Sequence, residues 1–167
     1  MSGKVIALLL AAMGVVAGAA IYYLQVFYFY ERVEPAGFVL QTQGGERSAE
    51  ATDIRAIDAI SSPIRFRACF DTDLTPDVEA LSYLDAVPLN APFWFGCFDA
   101  GEIAEKLADG SARAFVGQKN VDYGTDRIVA ITDDGRGFVW HQLNHCGDIA
   151  YDGTRVGEAC PPREDFE

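Results

Sequence analysis

Positive charge is scarce in this chain: 13 Lys and Arg stand against 25 Asp and Glu in 167 residues, a formal charge of −12. Nucleic-acid binders draw most of their affinity from Lys and Arg on phosphates, so the balance argues against that class. No C-x-x-C pair occurs, which removes the usual spacing of a thioredoxin-like redox site. No C-x-x-C-H occurs either, which removes covalent haem attachment. The two methionines, Met1 and Met13, both fall near the N-terminus and leave the rest of the chain without a thioether for copper or haem iron. Only two histidines are present, and no local signature links either to a nucleophilic cysteine. Neither a cofactor nor an enzymatic activity is expected. Disorder is excluded too, because half of the residues are apolar and 12% are aromatic.

What the sequence does have begins at its N-terminus. Val5 to Tyr30 is a run of 26 residues without a charge and with one amide, Gln25. As a helix it spans about 39 Å, enough to cross a hydrocarbon core of about 30 Å with some tilt. Tyr22, Tyr23, Phe27, Tyr28 and Tyr30 crowd its far end in the manner of an interfacial aromatic belt. The rival is a cleaved signal peptide with Ala17-Gly18-Ala19 as its cleavage site, but the apolar run continues ten residues past Ala20. A transmembrane helix is therefore expected. Lys4 lies on one side and all the acids on the other, which places the N-terminus in the cytoplasm and the domain outside. Gly14 and Gly18, with Ala11 on the same face, form a small-residue stripe that lets another helix approach closely in lipid.

From Glu31 onward the chain holds 12 basic and 25 acidic residues (13 less Lys4, against 25), a formal −13. Such a domain repels anionic headgroups and attracts basic partners. Phe38–Thr42 reads as a strand followed by a Gly44-Gly45 turn. Ile64 to Phe70 alternates, with Arg65 and Arg67 sharing a face, either to grip an anion or to form ion pairs with the abundant acids. Thr75-Pro76-Asp77 predicts a helix to about Leu84. Asp99 and Glu102 predict a capping box for a helix through Leu107, closed by Gly110. Ala112–Gln118 reads as a strand, and Arg127–Thr132 with Gly137–Leu143 as a hairpin. These readings make the chain α+β. A cytoplasmic tip and transmembrane helix occupy 1–30, and a periplasmic domain with an antiparallel sheet and two short helices occupies 31–146. An irregular acidic tail follows from 147 to 167.

Four cysteines outside the membrane suggest disulfides. Of the three connectivities, Cys69–Cys97 in the patterned core and Cys146–Cys160 around the tail are favoured. His141, His145, Cys146 and Cys160 are zinc-compatible residue types, but the histidines fall on a strand end and a loop, where a plain structural role is expected. Pro92-Phe93-Trp94-Phe95-Gly96-Cys97-Phe98 is the densest aromatic cluster of the domain and reads as a core plug or, if exposed, a contact patch.

Tyr22–Val26, Ser61–Phe70, Trp94–Ala100 and Arg127–Asn144, with its Trp140-His141-Gln142-Leu143-Asn144, together resemble a family of small uncharacterised single-pass proteins of alphaproteobacteria, chiefly Rhodobacter and Roseobacter relatives. The tail beyond Asn144 looks peculiar to this chain. The resemblance implies a bacterial inner membrane and an outward-facing domain, and assigns no activity. The expected function is a non-catalytic accessory subunit of a larger membrane complex, with other transmembrane subunits and the lipid bilayer as partners. A respiratory or photosynthetic electron-transfer complex is a natural host, and a basic carrier such as cytochrome c a natural visitor to the acidic domain. The alternatives are a tethered thiol-redox or assembly factor working through Cys69 or Cys97, and a periplasmic ligand-binding module.

Overall fold

The computed structural model describes residues 2–166; Met1, counted above among the methionines, lies outside them. Helix α1 spans Gly3–Tyr23 and passes into one π-helical turn, Leu24–Tyr28. Eight strands follow: β1 (Glu31–Val33), β2 (Val39–Thr42), β3 (Gly45–Ser48), β4 (Thr52–Asp58), β5 (Arg67–Asp71), β6 (Ala112–Asp122), β7 (Thr125–Thr132) and β8 (Arg136–Leu143). Helix α2, Ala100–Asp109, precedes β6. Six strands form one antiparallel sheet in the order β1-β4-β5-β8-β7-β6, and β2 and β3 form a separate hairpin. The fold is α+β.

Residues alternate across a pleated strand, so each strand supplies two faces. On one face Phe66, Ala68, Phe70, Val129, Ile131 and Val139 pack under Phe38 and Leu40 of the hairpin. On the other, Cys69, Ile128, Ala130, Phe138 and Trp140 pack under Phe98 and Ile103 of the α2 side. Central strands covered on both faces read as nearly continuous apolar runs, and Trp140 is 0% exposed. Burying Phe115 and Phe138 contributes about 1.5–3 kcal/mol each before entropy is subtracted. Gly137 faces Phe70 across the β5–β8 ladder, and a Cβ there would sit 2.0 Å from the Phe70 ring.

Both ends of α2 match the sequence expectation. Asp99 accepts from the Gly101 and Glu102 amides at 2.8 and 3.0 Å, and Gly110 ends the helix at φ +85°. The capping box does not close, because the Glu102 carboxylate turns to Arg136 at 2.8 Å instead.

The helix expected over Thr75–Leu84 does not form. Leu81 donates to the Gln41 carbonyl, Val116 donates to the Leu81 carbonyl, and Tyr83 donates to the Ala114 carbonyl, at 2.7–2.9 Å. The open edges of β6 and β2 thus satisfy the backbone groups a helix would have used internally. The domain's one further α-helix is α2 among the described residues. The strand expected from Ile64 begins only at Arg67, and Pro63–Arg65 is a 3₁₀ turn.

Candidate functional site

Two features meet where the N-terminal helix reaches the domain. The π turn at Leu24–Tyr28 presents the Gln25 side-chain and backbone oxygens and the Val26 carbonyl to domain donors. The Arg65 guanidinium donates to the Gln25 amide oxygen and, at 3.5 Å, to its carbonyl. Trp94 Nε1 donates to the Val26 carbonyl at 2.8 Å. Around these bonds Phe27 meets Phe93 edge-on at 5.8 Å, Tyr30 meets Trp94 at 6.0 Å, and Arg65 lies over the Tyr30 ring at 5.4 Å. Of the remaining aromatic belt, Tyr22 and Tyr23 pack on Phe27, and Tyr28 packs on Phe29. The helix is thus bonded into the domain rather than tethered to it. Further up, the stripe of Ala11, Gly14 and Gly18 is exposed, and nothing lies within 4 Å of a Cβ built on either glycine.

Pleat and register build a groove beside this junction. Val33 pairs with Ala56 and Arg32 with Ile57, so Glu34 runs on toward Arg55. Arg32, through its partner Ile57, and Arg55 therefore share the face that carries Cys69, because Arg55 pairs with Cys69, and Glu34 follows directly on the end of β1. The Cys69–Cys97 disulfide draws the aromatic loop over that same face. The result is a cavity of about 300 Å³ with Arg32, Glu34 and Arg55 on the sheet side and Trp94, Phe95 and Cys97 on the loop side. Arg55, Gly96 and Cys97 also line an adjoining hollow of about 370 Å³, which extends to Glu102 and Arg136. Among the described residues, neither Arg32 nor Arg55 has a carboxylate within 4.0 Å, although the chain carries 25 acids. Phe93 is 72% exposed while Phe98 is buried in the core, so the aromatic cluster is a plug at one end and an open patch at the other.

The model of a family of unknown function, DUF6446, matches residues 37–161. The chain belongs to this family. No curated protein and no solved structure is significantly similar to it. The DUF6446 match runs through the tail as far as Pro161, so the tail is a family feature and not peculiar to this chain. It starts after β1, leaving the apolar helix outside the matched region.

Within the DUF6446 domain the two arginines of the Ile64–Phe70 segment part company. Arg65 reaches the helix. Arg67 is 3% exposed and donates to the carbonyls of Ile64, Phe66, Leu89 and Asn90. Burial lowers its pKa to about 10, which leaves it charged at neutral pH. Neither forms an ion pair among the described residues, so the expected anion grip or salt-bridge face is absent, because the 3₁₀ turn rotates Arg65 out of the strand.

His141 is buried and stacks on Phe66 at 4.8 Å. Arg127 Nε donates to its Nε2 at 3.0 Å, so the proton sits on Nδ1, which donates to the Pro63 carbonyl at 2.8 Å. Burial, with Arg127 and Arg67 adding to it, lowers the imidazole to about 4. His145 lies apart on the tail, 3.1 Å from Asp148, and Cys146 is bonded to Cys160. The four zinc-compatible residues are therefore not assembled, and no group of three metal-ligating side chains occurs among the described residues.

Sequence reading missed two further polar sites. Asp126 is buried and accepts from the Asn120 amide and Asn144 Nδ2 at 2.9 and 2.7 Å, and burial with Asp126 pushes the Tyr83 phenol up to about 12. Asp134 gathers Lys106, Thr132 and Arg136. Burial raises its carboxyl, and these hydrogen bonds reverse that and hold it well below the usual carboxylate range.

Proposed function

We propose that this DUF6446 protein is a single-pass, membrane-anchored, non-catalytic subunit of a larger bacterial inner-membrane complex. Its N-terminus faces the cytoplasm and its domain faces the periplasm. The observation that carries this reading is the bonded junction: Arg65 on Gln25 and Trp94 on Val26 fix the domain to its helix. A helix held in one orientation presents its Ala11–Gly14–Gly18 stripe in a fixed direction, as packing against neighbouring helices requires. The helix Gly3–Tyr28 is long and apolar enough to cross a membrane, and the two disulfides fit an oxidising compartment. That all four cysteines are paired in disulfides and both ring nitrogens of His141 are engaged within the domain supports a role without chemistry of its own.

The host class that suits the alphaproteobacterial resemblance is a respiratory or photosynthetic electron-transfer complex, where an acidic domain speeds the approach of a basic carrier such as cytochrome c. A C-terminal tag, gentle extraction of native membranes and mass spectrometry test the subunit reading. Stoichiometric co-purification of transmembrane subunits is expected, weakened by Gly14→Ile with Gly18→Ile. Recovery of the protein alone would overturn it, and an intact mass starting beyond Ala19 would identify the helix as a cleaved signal instead.

A further inference from the structure

The groove of Arg32, Glu34 and Arg55 has a charge pattern unlike the rest of the domain and a position next to the helix end. Two guanidinium groups on one sheet face and one carboxylate just past the end of β1 line the same cavity, walled by Trp94 and Phe95. Arg32 follows Phe29 by three residues, which limits their separation to about 11 Å. The headgroup layer outside the hydrocarbon core is about 5–8 Å deep, so an arginine side chain at this position reaches it. Trp94 is bonded to Val26 and Phe93 packs on Phe27, so the loop wall stands at the level of the aromatic belt.

From this we infer that the groove is a phospholipid headgroup site that takes a zwitterionic, primary-amine headgroup: phosphate on Arg32 and Arg55, ammonium on Glu34. The inference rests on the membrane-anchor reading. Guanidinium is suited to phosphate because its planar fork donates two parallel hydrogen bonds. Glu34 gives the groove a group that phosphate alone does not need and that an ammonium does. An anionic lipid would use only half of the site and would also face the repulsion of a domain of formal charge −13. A choline headgroup carries no N–H to donate to Glu34. The occupant would hold the domain against the membrane surface on the side where the loop already projects Phe93.

Two measurements on the full chain separate this proposal from the anchor reading. Flotation with liposomes tests the anchor. Lipid retention by native mass spectrometry, after delipidation and add-back of phosphatidylethanolamine, phosphatidylglycerol or phosphatidylcholine, tests the groove. Phosphatidylethanolamine should be retained about tenfold better than the other two. Arg32→Gln and Arg55→Gln should each weaken retention of all three lipids, because all carry the phosphate, and Glu34→Gln should erase the preference for phosphatidylethanolamine and shift it toward phosphatidylglycerol. All three side chains are exposed, so an unchanged thermal unfolding midpoint serves as the folding control. A chain that floats but retains the three lipids alike, in native and variant forms, overturns the headgroup site and leaves the anchor standing. A chain that fails to float, yet binds a short-chain ethanolamine phospholipid and loses it on Arg55→Gln, overturns the anchor alone. Stabilisation by inorganic phosphate equal to that by the lipid would overturn the assignment to a headgroup.

Discussion

The Cys69–Cys97 and Cys146–Cys160 disulfides close loops of similar kind but stand in different physical settings. The first, with a sequence separation of 28, joins a buried strand residue to the loop that covers the sheet, so it carries Phe95, Phe98 and the groove wall with it. The second, with a separation of 14, encloses a chain segment that leaves Ile149, Tyr151 and Val156 exposed. Its attachments to the sheet side are polar or peripheral: Lys119 to Glu158 at 2.8 Å and Arg163 over the Tyr123 ring at 4.4 Å. Chain entropy alone makes the two nearly equal, about 4 and about 3 kcal/mol. Packing makes them unequal, because one crosslink is tied into a core and the other only into a surface loop.

The largest effect expected from breaking this comparison is at the core disulfide. Replacing Cys69 and Cys97 by Ala should cost about 4 kcal/mol or more in denaturant unfolding of the solubilised chain. Replacing Cys146 and Cys160 by Ser should leave the main transition within about 1 kcal/mol and expose residues 147–166 to limited proteolysis. Equal shifts would show that loop entropy, not packing, governs both.

Acid sharpens the contrast next. His141 holds the Pro63 carbonyl, and Pro63–Arg65 is the turn that carries Arg65 to the helix. Its folded pKa of about 4 lies below the ordinary 6.5, so the unfolded chain binds the proton first. Stability from the neutral ring is complete above pH 6.5 and is lost as pH falls toward 4, by about 3 kcal/mol in all. His141→Gln should flatten that part of the pH–stability curve, as read by thermal unfolding at a series of pH values. A slope that survives the substitution would assign it to other groups.

Smaller still is the junction itself. Trp94→Phe removes one hydrogen bond to Val26 and should cost about 1 kcal/mol. Spin-label distances between the helix and the domain should broaden. An unchanged distribution would mean that the aromatic contacts alone hold the angle. The smallest effect is expected from Arg136→Ala, which removes exposed contacts to Glu102 and Asp134 and should change stability by about 1 kcal/mol or less.

Much of the fold is legible in the chain because β7 and β8, covered on both faces, carry long apolar runs, and the first half of β6 beside them is largely buried. Ala112–Gln118, Arg127–Thr132 and Gly137–Leu143 all lie within observed strands, and Asp99 and Gly110 bound the observed helix. The candidate site was not legible for the same reason in reverse. Strand β1, Glu31–Val33, is an edge strand and β4, Thr52–Asp58, lies next to it; both expose polar residues and do not stand out as hydrophobic runs. The polar residues that hide them, Arg32 and Arg55, are those that line the groove. An alternation of period two, Arg55 and Ile57 on one face with Ile54 and Ala56 on the other, was the one available signal.

The apolar run from Val5 to Tyr30, the paired cysteines, the α+β class and the capped helix follow from composition, spacing and local propensity, and these were set by the sequence alone. Three things waited on the tertiary structure. Residues 75–84 gave up a helix for the edges of β6 and β2, Arg65 and Arg67 left their common face, and the aromatic loop closed over a charged edge of the sheet. Each depends on partners far away along the chain, and hydrogen bonds to such partners outweigh local preferences worth only a few tenths of a kcal/mol to about 1 kcal/mol per residue.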